Sequence, residues 1–322
     1  MKSLLVIHTG GTISMSEDES NRVLTNDENP IAQHQSLIKK YAHIEEVMPF
    51  NVPSPHITLS HVKELISIIE HEEQNSNYDG YVITHGTDTL EETAYLLDLT
   101  VETSKPIILT GAMRSSNEIG SDGLYNFISA IRVAIHDDSQ HKGVMVVFND
   151  EIHTARNVTK THTSNTNTFQ SPNHGPLGVI TKSGVLFYHR PYRQTVFPNI
   201  NVSLNVPLIK AHMGLGSEML TYYANTGVDG IVIEALGQGN LPPTAMEGLE
   251  ACLAQNIPIV LVSRSFNGIV SAVYAYEGGG HQLSEKGVIF SNGLNGQKAR
   301  LKLLVALSNK FNKAHIKTYF NY

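Results

Sequence analysis

The sequence predicts an α/β protein: a larger N-terminal domain, with a mostly parallel sheet covered by helices on both faces, and a smaller C-terminal α/β domain. Three observations predict it. Short apolar runs alternate with helical patterns through the first half of the chain, the alternation breaks off across 155–206, and a shorter series of the same kind then follows. Strands that alternate with long helices pack as a parallel sheet with both faces covered.

The first series begins with the unbroken apolar run Leu4-Leu5-Val6-Ile7, a predicted strand over 4–8. Tyr81-Val82-Ile83 marks a second strand over 80–84, and further strands are predicted at 107–110 and 143–149. Runs this short and this apolar suit strands buried on both faces. Between them, helical patterns predict helices over 59–73, 89–99 and 123–136, with Lys105-Pro106 and His141-Lys142-Gly143 punctuating the transitions. Polar residues, prolines and tyrosines dominate 155–206, where only short β-like pieces such as 184–188 occur; this reads as an end-of-domain hairpin followed by a linker. The second series predicts strands at 206–211, 230–234, 257–262 and 288–290, and helices at 217–225, 244–255 and 298–309. The expected division is therefore an N-terminal α/β domain over 1–185, a linker over 186–206 and a smaller α/β domain over 207–322. No repeat of fixed period and no low-complexity tract is present.

Composition narrows the function classes. Hydrophobic residues make up 41% and charged residues 16% of the 322, which describes a soluble globular chain with ample core. A net charge of -7 without any Lys/Arg run gives nucleic acid no basic surface to bind. No apolar stretch is long enough to cross a bilayer, and the N-terminal apolar run is too short for a signal-peptide core. The expectation is a cytoplasmic protein. The single cysteine, Cys252, excludes an internal disulfide, and its helical apolar setting Glu250-Ala251-Cys252-Leu253-Ala254 marks it as a small buried filler.

Two glycine-flanked threonines carry the chemical signal. Thr12, in His8-Thr9-Gly10-Gly11-Thr12-Ile13, and Thr87, in Thr84-His85-Gly86-Thr87-Asp88-Thr89, each follow directly on a predicted strand. Ligands of open α/β sheets bind outside the carboxyl ends of the strands, and glycine lets a backbone come close to them. The first turn lacks the lysine of a P-loop and the third glycine of a dinucleotide fingerprint. Taken alone, it is better explained as a tight turn with Thr12 an ordinary turn residue. The second has a structural explanation too: Thr89-Leu90-Glu91-Glu92 fits a capping box, or Asp88 could be the N-cap. Capping accounts for one of those residues and leaves the rest of the run. If the turn opens a helix, its N–H groups suit an anion or a developing oxyanion.

A third element, Asn157-Val158-Thr159-Lys160-Thr161-His162-Thr163, puts a lysine among strand-favouring residues, so its side chain takes one defined face. A lysine in such a Thr-rich stretch is usually a solvated surface residue, and the sequence alone does not say whether its face meets the two turns. The sixteen histidines include no HExxH, and their spacing offers no metal ligand set, so metal-free chemistry without a cofactor is expected.

Together the stretch 9–13, the run 84–93 and Asn157–Thr161 strongly resemble the bacterial L-asparaginase (asparaginase/glutaminase) family, as do Gly111-Ala112-Met113-Arg114, Gly237-Gln238-Gly239-Asn240 and Gln297-Lys298-Ala299-Arg300. The matches run in order across nearly the whole chain. The resemblance implies hydrolysis of L-asparagine to L-aspartate and ammonia, and a homotetramer whose sites borrow residues from a neighbouring subunit. It gives Thr12 the role of acylated nucleophile, and has Thr87, Asp88 and Lys160 act together, with Lys160 relaying protons through Thr87. Ser54 would hold the substrate α-carboxylate and Asp88 its α-amino group, beside Gly86. Asn240, and Glu277 in Tyr276-Glu277-Gly278, would be donated across the interface.

Three departures stand beside the resemblance. Family members often carry a tyrosine on the loop after the first threonine, and here 14–30 contain none. Relatives with substantial glutaminase activity commonly have glutamine after the matching serine, where this chain has Pro55, which implies a preference for asparagine. The neighbour-subunit glutamate has no unambiguous match apart from Glu277. The missing tyrosine keeps open a second class of function, a catalytically weak amino-acid-binding protein, and glutamine remains the rival substrate. The acidic, Ser/Asn-rich stretch 14–29 suits a mobile segment.

Overall fold

The computed structural model describes residues 1–321 apart from 19, 21, 26–29 and 31–33. The chain forms two compact units, Met1–Val196 and Phe197–Tyr322. No helix or strand occurs between 188 and 207, so the division falls inside the stretch expected to be a linker.

In the first unit β1 (Ser3–His8) leads through the hairpin β2 (Met15–Glu17) and β3 (Val23–Thr25) and the short α1 (Gln35–Ile38) to β4 (His43–Val47). Then follow α2 (Leu59–Asn75), β5 (Gly80–Thr84), α3 (Leu90–Thr100), β6 (Ile107–Thr110), α4 (Gly123–Ala134) and β7 (Val144–Phe148). The unit closes with β8 (Glu151–Thr154), β9 (Thr159–Lys160), β10 (Phe169–Gln170), β11 (Gly178–Thr181) and β12 (Gly184–Phe187).

Among the described residues the main sheet runs β12-β11-β8-β7-β6-β5-β1-β4. The strands from β4 to β7 pair in parallel, and β8, β11 and β12 extend the sheet antiparallel. The parallel part therefore has the order 2-1-3-4-5, in which the chain reverses direction across the sheet between β1 and β5. In open α/β sheets ligands bind at the carboxyl ends of the strands beside such a reversal. The turns after β1 and β5 carry Thr12 and Thr87.

Every residue of β5, β6 and β7 is buried, as continuous apolar runs covered on two faces require. Leu4, Val6, Val82, Ile108, Met145 and Val147 pack with Phe127, Ala130 and Ile131 of α4. Side chains alternate along a strand, so Leu5, Ile7, Tyr81, Ile83 and Leu109 face the other way, where α3 lies on β6 and β7. Truncating Phe127, fully buried in this layer, would cost about 3–5 kcal/mol.

Two differences from the expected elements have physical causes. The predicted strand 143–149 ends at Phe148 because Asn149 and Asp150 adopt φ of 47° and 67°, the left-handed pair that turns a two-residue hairpin into β8. Strand β4 is absent from the sequence reading because it lies at the sheet edge and is mostly exposed, so His43-Ile44-Glu45-Glu46-Val47 carries no apolar run.

The second unit contains β13 (Leu208–Lys210), α5 (Glu218–Thr226), β14 (Ile231–Ala235), α6 (Met246–Ala254), β15 (Ile259–Ser263), α7 (Gly280–Glu285), β16 (Ile289–Phe290), α8 (Gly296–Ser308) and α9 (Lys313–Phe320). Its four strands form a parallel sheet in sequence order among the described residues. Cys252 is fully buried on α6, its thiol held against the Leu220 carbonyl oxygen at 3.1 Å and shifted above the usual range by burial, as a core filler should be. Among the described residues no helix is long and apolar enough to cross a membrane.

Candidate active site

The first unit brings the two threonine turns into contact. His8 at the end of β1 pairs with Thr84 at the end of β5, and the Thr9 N–H donates to the Thr84 carbonyl at 3.1 Å. Gly10 and Gly11 then take φ of 101° and 85°, and a Cβ on Gly11 would stand 2.3 Å from the Gly86 Cα. A side chain at Gly11 would face both a left-handed backbone and a direct clash, so only glycine lets the turns touch. Thr12 opens a 3-10 turn, Thr12–Ser14, partly exposed. Among the described residues its hydroxyl makes no hydrogen bond.

The second turn is braced on every side. His85 is fully buried; its Nδ1 lies 2.7 Å from the Gly86 carbonyl and its Nε2 lies 2.9 Å from Thr93 Oγ1. Burial, opposed by the Gly86 hydrogen bond, lowers its pKa to about 4, so the ring is neutral at pH 7. A carbonyl can only accept, so Nδ1 carries the proton and Nε2 accepts from Thr93. A Cβ on Gly111 would lie 2.3 Å from the His85 carbonyl oxygen, so the loop after β6 presses on this turn from behind.

Ser54 reaches the turn from the loop after β4. The Val52 N–H donates to the Thr9 carbonyl at 3.1 Å, which ties that loop to the Thr12 turn. Ser54 begins a 3-10 turn, Ser54–His56, with Pro55 in its first positions, and is buried. Its Oγ accepts the Asp88 N–H at 3.1 Å, and its carbonyl accepts the Thr89 hydroxyl at 2.9 Å. A Cβ on Gly86 would sit 2.7 Å from Ser54 Cβ, so this glycine too is required by close approach. The Thr89 hydroxyl thus serves Ser54 instead of capping α3, and that helix end has no side-chain cap hydrogen bond. The capping-box expectation is corrected accordingly.

Lys160 completes the cluster. Its Nζ donates to Thr87 Oγ1 at 2.8 Å and to Asp88 Oδ1 at 2.6 Å. The lysine side chain is 16% exposed and the aspartate 58%, so the ammonium is sunk into the wall while the carboxylate faces the opening. Glu91 holds the lysine in place: buried in the first turn of α3, it accepts from Thr159 Oγ1 at 3.0 Å and from the Lys160 N–H at 3.3 Å. Sequence reasoning missed this role, because Glu91 stood there only as part of a helix-start pattern.

The stretch after Thr12 is a hairpin docked on the loop after β6. The Ser116 N–H donates to the Met15 carbonyl at 3.1 Å, and the Asn117 side chain bonds both the N–H and the carbonyl of Glu17, at 2.8 and 2.9 Å. Residues 19, 21 and 26–29 of the stretch expected to be mobile lie outside the described residues.

Asn240 and Glu277 stand together in the second unit. Gly239 (φ 109°) turns the chain after β14, and Asn240 Oδ1 accepts the Gly280 N–H at 3.1 Å. The Leu241 N–H donates to the Gly278 carbonyl at 2.8 Å, which joins this loop to the one bearing the exposed Glu277.

Known proteins share both units. Residues 3–193 match the asparaginase N-terminal family model and 205–320 match the glutaminase/asparaginase C-terminal domain model. The chain belongs to the asparaginase family. Its curated relatives include an L-asparaginase of Bacillus licheniformis, 36% identical over 100% of this chain and 99% of the relative. Another is a probable L-asparaginase of Deinococcus radiodurans, 38% identical over 98% of this chain and 96% of the relative. The crystal structure of a probable cytoplasmic L-asparaginase from Campylobacter jejuni superposes with a TM-score of 0.88 at 31% identity, covering 100% of this chain and 99% of that one. The asparaginase-family fold thus extends over both units of the chain.

Proposed function

We propose that this chain hydrolyses L-asparagine to L-aspartate and ammonia through an acyl-enzyme on Thr12. The observation that carries the reading is the Lys160–Thr87–Asp88 cluster set against the Thr12 turn at the reversal of strand order. Asp88, exposed and acidic, suits the substrate α-ammonium, and the Ser54 hydroxyl suits its α-carboxylate. The amide carbon then meets Thr12 Oγ. The backbone N–H groups of Thr12 and Thr87 make no protein hydrogen bond among the described residues, which leaves them to receive the oxyanion. As Thr12 attacks, its hydroxyl proton goes to the amide nitrogen and ammonia leaves. Water then attacks the ester and passes its proton by way of Thr87 and Lys160 back to the Thr12 oxygen, releasing aspartate.

Pro55 offers neither a side-chain donor nor an N–H, which supports asparagine over the longer glutamine. Asn240 and Glu277 suit donation to a neighbouring subunit of a tetramer, beside the exposed Phe266, Ile269, Val273 and Tyr276. A cytoplasmic location fits the relative from Campylobacter jejuni. The second reading, an amino-acid-binding protein of weak activity, draws on the Thr12 hydroxyl having no activating partner among the described residues. Ammonia release measured on both amides separates these readings. Faster release from asparagine is expected; binding without release favours the second reading, and faster release from glutamine overturns the substrate assignment.

A further inference from the structure

At the opposite end of the sheet from the threonine turns, the first unit has an open cleft of about 580 Å³. Residues 137–142, which lead into β7, form one wall, and residues 187–191, which follow β12, form the other. The five residues of β7 put roughly 16 Å of sheet between this cleft and the catalytic crevice. Lys142 lines it and is only 9% exposed. Its ammonium lies 4.7 Å from the centre of the Phe187 ring and, among the described residues, has no hydrogen-bond acceptor and no carboxylate partner. The side chain is largely buried, while its ammonium, met by a ring face, stays open to the cleft.

The backbone places it there at a cost. His141 takes φ of 61°, a left-handed conformation held by its N–H donating to the Ser104 carbonyl at 2.7 Å, and Gly143 follows with φ of 75°. Two left-handed residues on either side of Lys142 turn its side chain inward. Burial first, and then the Arg190 guanidinium, hold the lysine below its usual range, against the opposing pull of Asp138. The charges facing the cleft are Lys142 and Arg190, with His141 and His189 beside them. Asp138 opposes them, while Asp137 is already paired with Lys2.

We propose that this cleft binds a small organic oxyanion, a dicarboxylate or a phosphomonoester, whose charged group seats between Lys142 and Arg190 while its carbon skeleton lies against Phe187 and Pro191. The volume suits a molecule of metabolite size. Calorimetric titration of the whole chain with succinate, and separately with inorganic phosphate, tests the site and distinguishes the two sources of the anion. Saturable binding of at least one probe is expected, weakened at least tenfold by Lys142→Met, which keeps the stem over Phe187, and by Arg190→Gln. Arg190 is exposed, so its variant decides the matter if Lys142→Met fails to fold. Failure of both probes to saturate, or affinity unchanged in the folded variants, overturns the proposal.

Discussion

The two threonine turns occupy equivalent places on adjacent strands and are built in opposite ways. The Thr87 turn is over-determined: a neutral buried histidine, a serine, a lysine and a glutamate each hold part of it. At the Thr12 turn the backbone is held by left-handed glycines, and among the described residues the hydroxyl makes no hydrogen bond. The difference in bracing is consistent with the proposed roles, attack for Thr12 and proton transfer for Thr87, which the family resemblance also implies.

That contrast can be broken by unbracing the Thr87 side. Replacing Lys160 with Met removes the proton route and leaves the stem, and kcat should fall by about 10²–10⁴-fold, the range expected for a general acid–base group. Near-normal turnover of this variant would remove Lys160 from the mechanism.

A smaller effect concerns the folded state. His85 has a folded pKa of about 4 against 6.5 in the unfolded chain. Below pH 6.5 the unfolded chain takes up a proton that the folded one refuses until about pH 4. Stability contributed by the neutral ring is therefore complete above pH 6.5 and lost as pH falls toward 4, by about 3 kcal/mol. Urea unfolding of the wild type and of His85→Gln between pH 7 and 4.5 checks this: the variant should lose that part of the pH dependence. Equal slopes would mean His85 is not held neutral by burial.

The smallest effect is expected at Ser54, which joins the two turns. Its variant Ser54→Ala should raise KM for asparagine about tenfold with a lesser change in kcat, the signature of lost uniform binding. A fall in kcat alone would make Ser54 a brace for Asp88 and not a carboxylate ligand.

Much of this site was legible in the sequence because it is local. Thr12, Gly86, Thr87 and Asp88 each sit within a few residues of an apolar run whose end marks the carboxyl edge of a sheet. Lys160 was legible as a residue with a defined face, but the direction of that face depended on Glu91, some seventy residues earlier in the chain, which ties it to α3. The edge strand β4, which leads to Ser54, was illegible because one exposed strand in a large sheet needs no apolar pattern. The His85 tautomer likewise depends on Thr93, eight residues on in the first turn of α3, and on complete burial, neither of which a short motif records.

The central claim is the division of labour between the threonines, and trapping the covalent intermediate tests it most directly. Lys160→Met should slow the attack of water more than the attack of Thr12, so an acid quench during turnover of asparagine should leave an aspartyl ester that peptide mass spectrometry maps to Thr12. An ester on Thr87, or steady ammonia release with no ester on either threonine, would contradict it.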